Sequence, residues 1–188
     1  MLTTRALTVA DVPHLDQIDA NFESQGFLDL KKSIDGARVV WELTERSLDP
    51  PFASTDYNFQ ASERAALIER LHQNAGLYLL VEDGQRPVAL LDVEAEHWRQ
   101  AANVWHLFVD RAYRGQGRGR QLLQRAVEWA VEAGLRGIVC ETQTNNWPAC
   151  RFYQKFGFQL GGLDDHFYSN ADSALKEVAV FWWYELKG

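Results

Sequence analysis

Apolar residues recur along the chain at two spacings, and the changes from one to the other divide it into elements. Between Leu7 and Phe22, the residues Val12, Leu15, Ile18 and Phe22 fall at helical intervals, and Thr8 and Asp11 have capping-box spacing. The stretch 37–48, "ARVVWELTERSL", alternates after an apolar start and predicts a strand. Pro50 and Pro51 within 49–60 predict a break in regular structure. Ser62 can cap a helix from Glu63 to about Gln73 that turns Ala66, Leu67 and Leu71 inward.

Strand patterns dominate the next part. "GLYLLVED" (76–83) and "RPVALLDVEAEHW" (86–98) flank the turn signal "DGQ", and "NVWHLFVD" (103–110) is a further strand. A helix follows over 117–133, with Leu122, Leu123, Ala126, Trp129 and Ala130 on one face and Gly134 past its end. "RGIVCETQT" (136–144) predicts a strand, and "WPACRFYQKFG" a short helix with Pro148 in its first turn. "FQLGGLDDHFYS" and "KEVAVFWWYEL" read as closing strands. This order predicts an α/β (α+β) fold, a mixed sheet flanked by helices, in a single domain over 1–188. At least one parallel pair spans the helix at 117–133.

Composition narrows the partners. A chain of 188 residues with 46% hydrophobic content is an ordinary globular sequence, able to fold without disulfide staples. The formal charge of -7 argues against nucleic acid and suits a cationic substrate. Cys140 and Cys150 make neither a disulfide framework nor a zinc pattern, and no metal is expected. The N-terminus lacks an apolar signal region and no run reaches membrane-spanning length, so the expectation is a cytoplasmic protein with no membrane partner.

The segment "AYRGQGRGRQLL" (112–123) concentrates glycine and arginine where a helix begins. Helix N-termini carry unpaired amides and partial positive charge, and glycines let an anion approach them. Gly115, Gly117 and Gly119, with Arg114, Arg118 and Arg120 adding mobile positive charge, predict a pyrophosphate site. The spacing is neither a Walker loop nor G-x-G-x-x-G.

"RGQGRG" after "LFVD" resembles the acyl-CoA signature of the GNAT superfamily of N-acetyltransferases, matched by Arg114, Gly117 and Gly119. The downstream stretch "ETQTNNWPACRFYQKFGF" (141–158), then "LGGLD" and "VAVFWWYEL", resembles the streptothricin acetyltransferases within that superfamily. The resemblance covers roughly 104–186. It implies a mostly antiparallel sheet whose fourth and fifth strands, 103–110 and 136–144, form a parallel pair splayed around an acyl-CoA cleft. It also implies acetyl-CoA as co-substrate, its diphosphate on the amides of Arg114, Gly115, Gln116, Gly117, Arg118, Gly119 and Arg120. Backbone N–H near Phe108 or Val109 would polarise the thioester carbonyl. Asn146 would bond the pantetheine arm, and Tyr153 would act as general acid toward the departing thiolate.

Many members of the superfamily place a basic glutamate where this chain has Trp105. Substitutes are Asp92 and Glu94, on one face of the third strand, Glu141 at the end of the fifth, and equally proton loss to bulk water through ordered solvent. His106 is expected on the opposite face from Trp105. Trp105 and Glu94 can line a pocket for a cationic amine, while Trp41, Trp98, Trp182 and Trp183 read mainly as sheet packing. The streptothricin enzymes carry a dense acidic stretch here replaced by Asp49, Asp56 and Glu63 against Arg64. The expected reaction is direct acetyl transfer to a primary amine of a small molecule, with the β-lysine amine of streptothricin as one acceptor. Another small amine, a peptide amine, or a non-catalytic acyl-CoA sensor remain alternatives. The closing strand could pair in a homodimer or lie inside the sheet.

Overall fold

The computed structural model describes residues 1–55, 57, 59–170 and 177–187. In chain order the first elements are β1 (Leu2–Ala6), a 3₁₀ helix (Val9–Gln17), β2 (Glu23–Asp35), β3 (Arg38–Ala53), α1 (Ala61–Gln73), β4 (Gly76–Asp83), β5 (Arg86–Glu96) and β6 (Ala101–Val109). A 3₁₀ turn (Arg111–Tyr113), α2 (Arg118–Glu132), β7 (Gly137–Gln143), α3 (Trp147–Phe156), β8 (Gln159–Asp164) and β9 (Ala179–Glu185) follow. No described helix is long and apolar enough to cross a membrane. The chain forms two compact units, one of Met1–Asn21, Thr55–Cys140 and Trp183–Gly188, the other of Phe22–Ser54 and Glu141–Trp182.

In the first unit the strands follow the order β1-β4-β5-β6-β7. β1–β4, β4–β5 and β5–β6 are antiparallel, and β6 runs parallel to β7 with Ala101 opposite Gly137 through Val104 opposite Cys140. The parallel pair is therefore the one expected, at β6 and β7 in the full count; the strands numbered β4 and β5 here are antiparallel. β5 buries seven consecutive residues from Pro87 to Val93, which requires cover on both faces. Leu67 of α1, Val12 and Leu15 of the 3₁₀ helix and Ile18 at its C-cap join Tyr78, Leu80 and Leu90 in one cluster. α2 lies against β5 and β6 with Leu122, Leu123, Ala126 and Ala130 buried.

Several expectations are corrected. The helical segment 7–22 forms a 3₁₀ helix, and Pro13 inside it has no N–H to donate to an α-helical ladder. Asp11 does accept from the backbone N and Oγ1 of Thr8, at 2.8 and 2.7 Å. α1 begins at Ala61, and Arg70 rather than Ala66 takes the second buried position beside Leu67. Trp98, expected in sheet packing, is 83% exposed.

The second unit contains the antiparallel ribbon β2–β3, helix α3, and the order β7-β9-β8. β3 continues through both prolines to Ala53, with a cis bond at Asp49–Pro50. β9 has β7 on one side and β8 on the other, so the closing strand is interior rather than an edge open to a second copy. Lys176, which the sequence assigns to that strand, lies outside the described residues, as does Asp56.

Candidate active site

The glycine turn belongs to the first unit. Asp110, 1% exposed, anchors it: Oδ1 accepts from Ala112 N at 2.9 Å, and Oδ2 from Arg86 at 2.6 Å and Asp19 N at 3.2 Å. Gly115 and Gly117 take φ of +76° and +79°, a region costly to residues with a Cβ. A Cβ at either would meet nothing within 4 Å, so backbone conformation, not space, selects glycine there. Gly117 is the N-cap of α2, and the first helical bond runs from Gln121 N to Gly117 O at 3.0 Å. The amides of Arg118, Gly119 and Arg120 thus have no helical acceptor, and Gly119 places no side chain over them. This first turn fits an anion of phosphate type.

The arginines divide into two groups. Arg114, expected as mobile charge, is instead a strut: its guanidinium donates to the carbonyls of Val109 (2.9 Å), Asn21 (2.7 Å) and Ala20 (2.8 Å). Arg118, Arg120 and Arg125 line a groove of about 480 Å³ beside Thr4 and Val81. Beyond Val104 the β6–β7 ladder ends, and His106 to Val109 have only β5 as a strand partner among the described residues. The β6 amides near Phe108 and Val109 therefore lie where the parallel pairing has stopped. The Phe108 ring itself packs at 6.0 Å from Tyr57 and 5.4 Å from His106.

A bulge decides what surrounds Trp105. Asp92 pairs with His106 and Val93 with Val104, so Trp105 is the extra residue of β6. The break in alternation puts His106 and Trp105 in reach of one group of residues, correcting the expected opposite faces. Trp105 Nε1 donates to Glu94 at 3.1 Å, and the Arg70 guanidinium stands 5.0 Å from the Trp105 ring. Arg70 also donates to both oxygens of Asp92, at 3.2 and 2.5 Å. Asp92 Oδ2 lies 2.8 Å from His106 Nδ1, and His106 Nε2 lies 3.5 Å from the partly exposed Glu63. Burial would lower the His106 pKa, but its hydrogen bonds to Asp92 and Glu63 prevail and raise it. Asp92 has no exposed surface and both oxygens are engaged, so it is a counter-ion rather than a base that meets substrate.

In the second unit Asn146 caps α3, its Oδ1 accepting from Ala149 N at 3.2 Å. Tyr153 is buried on α3, its ring 5.2 Å from both Phe152 and Phe158. Glu141 is half-buried and accepts from the Tyr168 hydroxyl at 2.7 Å. Burial pushes its pKa up to about 7, against the Tyr168 hydrogen bond and with a push from Glu177. Burial also raises the Cys150 thiol to about 11, which leaves it protonated and a poor nucleophile. Cys140, which belongs to the first unit, is buried as well.

Three features beside the candidate residues were missed in the sequence: the anchoring role of Asp110, the Arg70–Asp92–His106–Glu63 network, and the Tyr168 contact. A bulge leaves no mark in a pattern of alternation, and Tyr168 reaches Glu141 across 27 residues.

Comparison with known proteins places these features in a family. The model of the Acetyltransferase (GNAT) family matches residues 40–158. Streptothricin acetyltransferase A of Bacillus subtilis is 30% identical over 94% of this chain and 99% of its own. Streptothricin acetyltransferase of Escherichia coli is 40% identical over 46% of this chain, a match that spans 50% of that protein. The crystal structure of nourseothricin acetyltransferase superposes with a TM-score of 0.82 at 22% identity, covering 99% of both chains. A candidate streptothricin acetyltransferase of Bacillus anthracis, solved with acetyl coenzyme A, gives 0.77 at 27% identity over 98% of this chain and 99% of that one. Glycine turn, parallel pair and sequence together make this chain a member of the Acetyltransferase (GNAT) family.

Proposed function

We propose that this protein is an acetyl-CoA-dependent N-acetyltransferase acting on a primary amine of a streptothricin-like small molecule. The observation that carries the reading is the first turn of α2, whose amides follow two left-handed glycines and stand beside an arginine-lined groove. The similarity to enzymes named for streptothricin supports the acceptor. When bound, acetyl-CoA supplies the thioester as acyl donor.

In the first unit, the amides of Gly115 to Arg120, Gln116 among them, hold the diphosphate, with Arg118 and Arg120 adding charge. Backbone N–H of β6 near Phe108 and Val109 polarises the thioester carbonyl. Trp105 and Glu94 receive the cationic acceptor, the ring through its face and the carboxylate through charge. In the second unit, Asn146 uses its side-chain carbonyl for the helix cap, which leaves Nδ2 to donate to the pantetheine arm. Glu141 takes the proton from the acceptor ammonium, because a protonated amine has no lone pair for attack. A carboxylate titrating about 7 is matched to that step near neutral pH. Tyr153 donates its phenolic proton as the C–S bond breaks. The proposal includes work in the cytoplasm, without nucleic acid or membrane.

The test is an acceptor panel with acetyl-CoA and a thiol reagent. Thiol release with streptothricin is the expected result. Release with a peptide amine alone would move the acceptor class, and tight acetyl-CoA binding with no release across the panel would make the protein a sensor.

A further inference from the structure

Tyr168 belongs to none of the elements of regular structure, yet it is held from three directions. Its ring stands edge-on to Phe167 at 5.1 Å, and Phe167 in turn to Phe181 of β9 at 5.9 Å. Its carbonyl accepts from Asn170 Nδ2 at 3.3 Å. Asn170 is itself fixed by Glu177, donating to its carbonyl at 2.9 Å and accepting from its N–H at 2.7 Å. The Glu177 carboxylate accepts from the buried Asn145 at 2.9 Å. So held, the Tyr168 hydroxyl meets Oε1 of Glu141 at 2.7 Å. Oε2 of Glu141 has no hydrogen-bond partner among the described residues.

We propose that Tyr168 is a positioning residue for acetyl transfer, fixing one oxygen of Glu141 so that the other takes the proton of the incoming amine. This rests on the reading of Glu141 as base. The proton moves from the ammonium nitrogen to Oε2, giving a neutral amine and a neutral carboxyl, while Tyr168 keeps its own proton throughout. A short hydrogen bond to an ionised carboxylate is a strong one and favours the charged form. It therefore offsets part of the cost of burying Glu141, and keeps enough carboxylate present at neutral pH.

The test is carbon NMR of protein labelled at the glutamate carboxyl carbons, with Glu141→Gln identifying the resonance. Tyr168→Phe should raise the Glu141 titration midpoint by at least about half a unit. With streptothricin as acceptor, the acidic limb of kcat should move upward by the same amount while KM for acetyl-CoA stays unchanged, a split that mere loss of packing does not produce. An unmoved Glu141 midpoint in Tyr168→Phe overturns the inference and leaves the base reading standing. Full turnover by Glu141→Gln at every pH overturns the base reading instead. Should Tyr168→Phe fail to fold, the unmodified protein decides: the Tyr168 Cζ resonance should shift with the Glu141 midpoint, and a Cζ resonance unmoved through that range overturns the inference.

Discussion

Asp92 and His106 stand opposite each other on β5 and β6, with Oδ2 and Nδ1 2.8 Å apart and no solvent on the Asp92 carboxylate. Arg70 of α1 closes on the same carboxylate from the helix side. Removing one member leaves a buried charge uncompensated, which typically costs about 3–5 kcal/mol. Asp92→Ala should lose stability on that scale in urea unfolding, with Trp105 moving as Arg70 is released beneath its ring. A loss below about 1 kcal/mol would mean that water or another group replaces the carboxylate.

The protonation of His106 gives this network a pH dependence. Its pKa is raised in the folded chain, against burial, by Asp92 and Glu63. A raised value contributes stability that is full below the unfolded pKa, near 6.5, and is lost as pH rises through the folded value. The stability difference between the unmodified protein and His106→Gln should be greatest in acid and shrink as pH increases. Denaturant midpoints of both proteins from pH 5 to pH 9 measure it. A difference that grows with pH would assign the histidine as neutral.

How much was legible depended on where each signal resides. α2, α3, β4, β5 and the parallel pair announced themselves because their buried residues are apolar at regular spacing. β2 did not: its buried positions include Ser24 and Gly26, small residues chosen for contacts made elsewhere in the chain. Ser24 Oγ donates to the Asn145 carbonyl at 2.6 Å, and a Cβ at Gly26 would stand 2.7 Å from the Arg46 carbonyl. β1 is a polar edge strand whose register with β4 carries the information. The glycine turn was readable because φ > 0 selects glycine directly, whereas the part played by Arg114 depends on carbonyls 93 to 95 residues away.

That difference separates two kinds of loop residue. Arg114→Gln should loosen the turn by removing its bonds to carbonyls, while the salt dependence of coenzyme A binding stays as it was. Arg120→Gln should leave the fold intact and reduce the salt dependence, as expected for a cation that meets phosphate. Gly117→Ala should cost about 1–2 kcal/mol through its left-handed backbone and weaken coenzyme A binding. Calorimetry at several salt concentrations tests all three. Equal salt slopes for the two arginine variants would return Arg114 to the anion site.

Glu141 links stability and rate in opposite senses. Its folded pKa, about 7, lies above the ordinary carboxylate value, chiefly through burial. Ionising it therefore weakens the folded state as pH rises above the unfolded value, and the penalty is fully present beyond the folded one. Glu141→Gln should gain stability relative to the unmodified protein at pH 8 and gain less at pH 5. The same substitution should remove the acidic limb of kcat/KM, centred near pH 7. Thermal unfolding and pH–rate profiles read the two effects separately. A limb that survives the substitution would assign proton removal to another group or to solvent.

Tyr153 offers the clearest separation of packing from chemistry. Its ring is buried against Phe152 and Phe158 on α3, so phenylalanine preserves the aromatic contacts. Tyr153→Phe should keep its affinity for acetyl-CoA and stay within about 1.5 kcal/mol of the unmodified stability. If the hydroxyl protonates the departing sulfur, kcat should fall on the order of 10²–10⁴-fold. An acceptor assay that follows thiol release, paired with calorimetric titration of acetyl-CoA, distinguishes the two roles. Unchanged turnover would leave Tyr153 as a core residue, and the thiolate would then leave without a protein acid.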